Sequence, residues 1–189
     1  MGSSIQKFDN FTLFNSGLES KKHELVCGFY VRGEFLNYVK DIKIINERIC
    51  YCRLKAKWFS CTLILYLVHA STNKKTEEVK EEFYNLLEQN VNQIANSYIK
   101  IILGDFNAKV GKEDIYKPTT GNEGLQNETN NNGIKMIQFA ISKGFNVRSA
   151  TFPHKDILKD TWYSADGRTV NQINHVLISK RFRSAITDI

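Results

Sequence analysis

The sequence predicts an α/β fold, and three stretches carry that prediction. From Thr76 to Asn96, apolar side chains at Val79, Phe83, Leu86, Leu87, Val91 and Ile94 recur at helical spacing. Two strand-length apolar runs flank this helix, Phe59–His69 before it and Tyr98–Leu103 after it, so strand, helix and strand form a unit for which parallel pairing is expected. A second helical stretch, Gly133–Lys143, follows a long polar segment. The chain has 189 residues, 42% hydrophobic and 24% charged, which suits one domain with a substantial core.

Taken in order, Leu25–Val31 reads as a short apolar strand containing Gly28. Ile42–Leu54 reads as one or two strands with Asn46-Glu47-Arg48 as a turn. Thr76 is the expected N-cap of the first helix, and Glu77 and Glu78 suit the positive end of its dipole. Ile99-Lys-Ile-Ile-Leu103 then runs straight into Gly104-Asp105-Phe106-Asn107. Such a run reads as a strand buried on both faces, which places Asp105 and Asn107 at its carboxyl end, where α/β sheets hold ligand groups. Taken alone, Asp-x-Asn reads more simply as a strand ending in an ordinary turn.

The segment Ala108–Asn131 is rich in Gly, Asn and Thr, and loops of that length are functional or mobile. Asn132 is the expected cap of the second helix, with Ile134, Ile137 and Ile141 facing the core and Gly144 ending it. Phe145–Phe152 reads as a strand, and Thr161–Ser179 as a β-hairpin turning at Asp166-Gly167.

Lys and Arg number 26 against 20 Asp and Glu, a net charge of +6 that suits a polyanionic partner such as nucleic acid. No apolar run approaches the roughly 20 residues that span a bilayer. The amino end has no signal pattern and misses the myristoylation pattern at Gln6, so a nuclear or cytoplasmic location is expected. Cys27, Cys50, Cys52 and Cys61 form no C-x-x-C pair, and reduced, buried thiols are the expectation. Cys50 and Cys52 share one strand face, which leaves a metal role open.

Several segments together resemble the endonuclease/exonuclease/phosphatase superfamily. They are Thr12–Gly17, Ile45–Ile49, Val68-His-Ala-Ser-Thr72, Ile102–Gly111, Glu128-Thr-Asn-Asn-Asn-Gly133, Phe152–Lys155, Thr161–Thr169 and Asn171–Ile178. More closely, the chain is similar to the endonuclease domains of LINE-type (non-LTR) retrotransposons and to craniofacial-development-protein-like proteins. The resemblance implies a four-layered α/β/β/α sandwich of the DNase I-like kind. It also implies Mg²⁺-assisted hydrolysis of a phosphodiester, with DNA as partner.

By resemblance, Asp105 is the carboxylate that orients or deprotonates the attacking water and the candidate Mg²⁺ ligand. Asn107 would hydrogen-bond the phosphate, and His69 stands where relatives place a Tyr or His near it. Lys109 and Arg168 are the implied phosphate-backbone contacts, each otherwise an ordinary surface cation. Trp162 is a candidate base-stacking side chain, with packing beneath the hairpin as its plainer role. His154 has only a loop role.

Three departures bear on activity. Relatives begin with strands carrying an Asn and a metal-binding Glu, which the resemblance would place ahead of Met1. They end with a Ser-Asp-His segment that would fall after Ile189. They carry Gln-Ile-Asp-His where this chain has Gln172-Ile-Asn174-His175, and a neutral Asn174 can hold an imidazole without stabilising its charged form. The expectation is a partial domain over residues 1–189, inactive or strongly impaired, with weak Mg²⁺ binding. A catalytically dead module that binds nucleic acid or protein is the alternative. A phosphodiesterase acting on small molecules fits the Trp162–Ile178 segments less well.

Overall fold

The computed structural model describes residues 4–15, 27–55 and 61–189. It divides into two compact units, Met1–His69 with Ile94–Ile102, and Ala70–Gln93 with Leu103–Ile189.

In the first unit, β1 (Ser4–Lys7), β2 (Phe11–Asn15) and β3 (Gly28–Arg32) form an antiparallel sheet. The part of the expected Leu25–Val31 strand ahead of Cys27 lies outside the described residues, as do Phe59 and Ser60 of the next expected strand. β4 (Val39–Asn46), β5 (Ile49–Leu54) and β6 (Leu63–His69) pair antiparallel in sequence order. The β4–β5 turn falls where expected, closed by the Arg48 N–H on Asn46 Oδ1 at 2.9 Å. Beside β6 lies β7 (Ile99–Asp105), whose first four residues belong to this unit.

β6 and β7 correct one expectation. Ile64, Tyr66 and Val68 are buried, while Leu63, Leu65 and Leu67 between them are only half-buried. β7 repeats this alternation, with Lys100 and Ile102 buried and Ile99, Ile101 and Leu103 half-buried. The continuous apolar run therefore does not mean burial on both faces. Its one polar member, Lys100, lies on the buried face, where its Nζ donates to Asn96 Oδ1 at 3.2 Å and burial pulls its pKa down. Cys27, Cys50 and Cys52 are buried. The Cys27 contact and burial push the Cys50 thiol up, and burial raises Cys52 to about 11, so both stay protonated.

The second unit holds α1 (Glu77–Asn92), α2 (Asn131–Lys143), the end of β7 and four further strands. These are β8 (Phe145–Val147), β9 (Trp162–Tyr163), β10 (Val170–Asn171) and β11 (Asn174–Ser179). The α1 stripe buries Phe83, Leu87 and Val91, and Val79 at its start remains exposed. Aromatic contacts from Tyr84 to Phe139 and from Phe139 to Phe145, at 5.8 and 6.0 Å, join α1, α2 and β8. Across the solvent side, Lys135 pairs with Glu77 at 2.9 Å and Lys143 pairs with Glu88.

α2 begins two residues earlier than the sequence suggests. Its N-cap is Asn130, whose Oδ1 accepts the Gly133 N–H at 2.8 Å, so the expected cap Asn132 stands inside the helix. The buried face is Asn132, Gly133, Met136, Ile137, Phe139 and Ala140, which leaves Ile134 and Ile141 exposed instead of inward. Two polar or side-chain-free residues in the first turn have thus set the helix rotation. Gly144 ends α2 in the left-handed conformation, φ 67°, as expected.

The strand expected over Phe145–Phe152 stops at Val147, and a 3₁₀ turn over Arg148–Ala150 follows. The hairpin is also shorter than expected. β9 pairs with β10 around the Asp166-Gly167 turn, while β11 leaves it to pair antiparallel with β8. Among the described residues, no helix is long and apolar enough to cross a membrane.

Candidate functional site

The end of β7 forms a tight turn. The Asn107 N–H donates to Asp105 Oδ1 at 2.7 Å, an Asx-type closure, and Asn107 takes φ 49° in the left-handed region. Asn tolerates that conformation better than most side chains because its short amide can bond locally. Here the Asn107 Nδ2 donates to Ala70 O at 3.0 Å, and the Ala70 N–H donates back to Asp105 O at 2.7 Å.

The amino end of α2 braces the chain that follows the turn. Asn130 Oδ1 accepts the Lys109 N–H at 3.0 Å as well as its own cap bond, and the Asn130 N–H donates to Lys109 O at 3.2 Å. Thr129 Oγ1 accepts the Gly111 N–H at 2.9 Å and donates to Glu113 Oε2 at 2.7 Å. Asn132 Nδ2 donates to Asn107 O at 3.1 Å. The segments Gly104–Gly111 and Glu128–Gly133, separate in sequence, are therefore one structural device. Replacing Asn130 with Ala removes acceptors for two N–H groups, and a loss of roughly 1–2 kcal/mol in urea unfolding is expected.

The Gln172–His175 segment holds the same turn from β11. The Phe106 N–H donates to Ile173 O at 3.0 Å, and Gln172 bonds the Leu125 N–H and Ser149 O, each at 3.2 Å. His175 is fully buried, its Nε2 at 2.9 Å from Ala108 O and its Nδ1 at 2.8 Å from Ser149 Oγ. A carbonyl can only accept, so Nε2 carries the proton and Nδ1 accepts from the Ser149 hydroxyl. Burial pulls the His175 pKa down to about 4, with the Ala108 bond opposing, so the ring is neutral near pH 7.

The second unit brings Asp105, Asn107 and the Lys109 backbone into one turn. Asn174 is exposed at the start of β11, its N–H on Thr161 Oγ1 at 3.2 Å. Arg168 lies exposed on the hairpin turn. Trp162 lies on β9 and is 42% exposed. His69, in the first unit, ends β6 half-buried, and its carbonyl accepts from Arg48 Nη1 at 3.2 Å. Sequence reasoning missed Thr129, Asn130, Asn132 and Gly133 as braces. The signal for them was a Gly placed within the first turn of a helix, directly after three Asn residues.

Mg²⁺ asks for near-octahedral oxygen ligands, usually one or two carboxylates completed by water and phosphate. Among the described residues, no three His, Cys, Asp or Glu side chains gather where they could hold an ion. Asp105 Oδ1 is moreover already the acceptor of the Asn107 N–H. Among the described residues, Asp105 is therefore not joined by the further side-chain ligands that would hold Mg²⁺ tightly.

No protein-family model matches the chain. Its fold is the DNase I-like α/β fold found in nucleases of the endonuclease/exonuclease/phosphatase superfamily. The endonuclease domain of TRAS1, a telomere-specific non-LTR retrotransposon, matches at TM-score 0.60 and 11% identity, over 93% of this chain and 68% of that one. The AP endonuclease LMAP from Leishmania major matches at TM-score 0.67 and 12% identity, over 95% and 65%. D. rerio TDP2, solved in complex with a single-strand DNA product, matches at TM-score 0.57 and 8% identity, over 90% and 62%. In sequence, the chain is similar to craniofacial development protein 2 of Bos taurus, 28% identical over 180 residues, which are 94% of this chain and 29% of that protein. The Tragulus javanicus protein of the same name is also 28% identical, over 94% and 30%. The chain thus spans less than a third of the length of these curated relatives.

Proposed function

We propose that this chain derives from a Mg²⁺-dependent DNA endonuclease of the retrotransposon type and that, as this polypeptide, it does not cleave DNA. The observation that supports the reading is the Asp105–Asn107 turn, held by bonds from Ala70, Asn132 and Ile173, while no group of three His, Cys, Asp or Glu side chains gathers for an ion among the described residues. Phosphodiester hydrolysis needs an activated water, neutralised phosphate charge and a stabilised leaving oxygen. Asp105 is the candidate for the first task, and Asn107 is the candidate for contact with the phosphate. His175 is neutral, buried and engaged at both ring nitrogens, so it does not serve as an acid. Asn174 carries no charge with which to stabilise an imidazolium. Groups that act as a unit lose most of their rate enhancement when one member is missing. Mg²⁺ enters this reading only as an ion that Asp105 alone would hold weakly.

The same chain reads secondly as a nucleic-acid- or protein-binding module. The net charge of +6 favours this reading, as do Trp162 and Arg168 exposed on one hairpin. Fluorescence anisotropy on labelled duplex DNA tests the nucleic-acid partner. Affinity is expected to fall by about tenfold or more between 50 and 200 mM salt, with Lys109→Ala and Arg168→Ala each lowering the salt slope by roughly one. Binding that ignores salt, or no binding, would remove the nucleic-acid partner.

A further inference from the structure

We propose that Asn132 is the positioning residue of the Asp105–Asn107 turn, holding Asn107 in its left-handed conformation so that the Asp105 carboxylate and the Asn107 amide address one phosphodiester. The proposal rests on the reading of this turn as a phosphodiester site.

Asn132 is 2% exposed, and its single Nδ2 donates to two carbonyls, Ser71 O at 2.9 Å and Asn107 O at 3.1 Å. The carbonyl next to Ser71, that of Ala70, accepts the Asn107 side-chain amide, and the Ala70 N–H returns to Asp105 O. Asn132 therefore closes a ring that runs from Ala70-Ser71 through Asn107 and back. It bonds the carbonyl of the one non-glycine residue with positive φ among the described residues and ties it to the Ser71 carbonyl. A left-handed non-glycine persists where its surroundings over-determine it, and here the Asn132 amide takes up the carbonyl of that very residue.

The remaining polar atoms of the pair point the same way. Asn132 Oδ1 and Ser71 Oγ are both buried without a hydrogen-bond partner, in residues only 2% and 3% exposed. Buried polar side chains are ordinarily satisfied, and Asn132 meets this at the end opposite Oδ1. That other end is the donor on Asn107 O. Gly133 lets the start of α2 lie close against Lys109 O, where a Cβ would stand 2.1 Å away.

Amide hydrogen exchange resolved by residue tests the assignment in the full chain. In Asn132→Asp, which keeps the shape and loses both donors, the Asn107 amide is expected to exchange about tenfold faster relative to the amides of Met136–Ala140 in the same sample. Asn132→Ser, which retains one hydroxyl donor, is expected to recover part of the protection, and it carries the test if Asn132→Asp does not fold. Ser71→Ala is expected to change nothing at Asn107, because only the Ser71 carbonyl is used. Unchanged exchange at Asn107 in both Asn132 variants would overturn the proposal, as would equal loosening by Ser71→Ala. DNA binding by the wild-type chain, measured in parallel, separates the two claims. Its absence sinks the phosphodiester reading, while exchange at Asn107 still decides the role of Asn132.

Discussion

Acidification from pH 7 towards pH 4 is expected to cost this protein roughly 3 kcal/mol of stability through His175 alone. Burial brings its pKa from 6.5 down to about 4 in the folded state, while the unfolded chain keeps the ordinary value. Between those two values the unfolded state binds more protons, so stability rises with pH there. The contribution is complete above about pH 6.5 and is lost as pH falls through about 4. Urea midpoints at pH 7, 5.5 and 4.5 measure the effect, with His175→Gln as the comparison. The variant is expected to be less stable at pH 7, because Ser149 Oγ and Ala108 O lose fitted partners, and flatter against pH. Parallel curves for the two proteins would show that His175 is not what titrates.

Gly133→Ala is expected to be among the most damaging single substitutions. A Cβ at this position would lie 2.1 Å from Lys109 O and 2.7 Å from Thr129 Cγ2, and the first of these is backbone that belongs to the site loop. Neither neighbour can retreat without breaking the Asn130 bonds to Lys109 or the Thr129 bond to Gly111. A cost of about 3 kcal/mol or more is expected from such overpacking, against the small gain that Gly→Ala brings in an open helix. Thermal or urea unfolding reads it directly. A neutral or stabilising outcome would mean that the α2 amino end is not pinned to the site loop.

Much of this was legible in the residues. The helical stripe over Thr76–Asn96, the cap role of Gly144 and the turn at Asp166-Gly167 follow from local periodicity and backbone preference, and each has its counterpart in the structure. The misreadings have a common cause, since they concern positions where tertiary contacts override local pattern. The Ile134, Ile137 and Ile141 stripe looked inward by spacing, but Asn132 and Gly133 turn α2 so that only Ile137 is buried. The apolar run of β7 looked doubly buried, yet its inward face includes Lys100 and its other face is half-open. At the site, Asp105 and Asn107 were visible because a strand end announces itself in sequence. The braces were not, because Glu128–Gly133 and Gln172–His175 reach the turn only through the fold. His175 in particular stood within a motif matched for its chemistry, and in the structure it is a buried clamp on Ala108.

Supercoiled plasmid incubated with the purified chain and Mg²⁺, beside an Asp105→Ala control, tests the central claim most directly. The expected result is that supercoiled DNA remains intact at a level indistinguishable between the two proteins. Nicking by the wild-type chain that disappears in Asp105→Ala would contradict the account, because it would show that this turn assembles a working metal-dependent site.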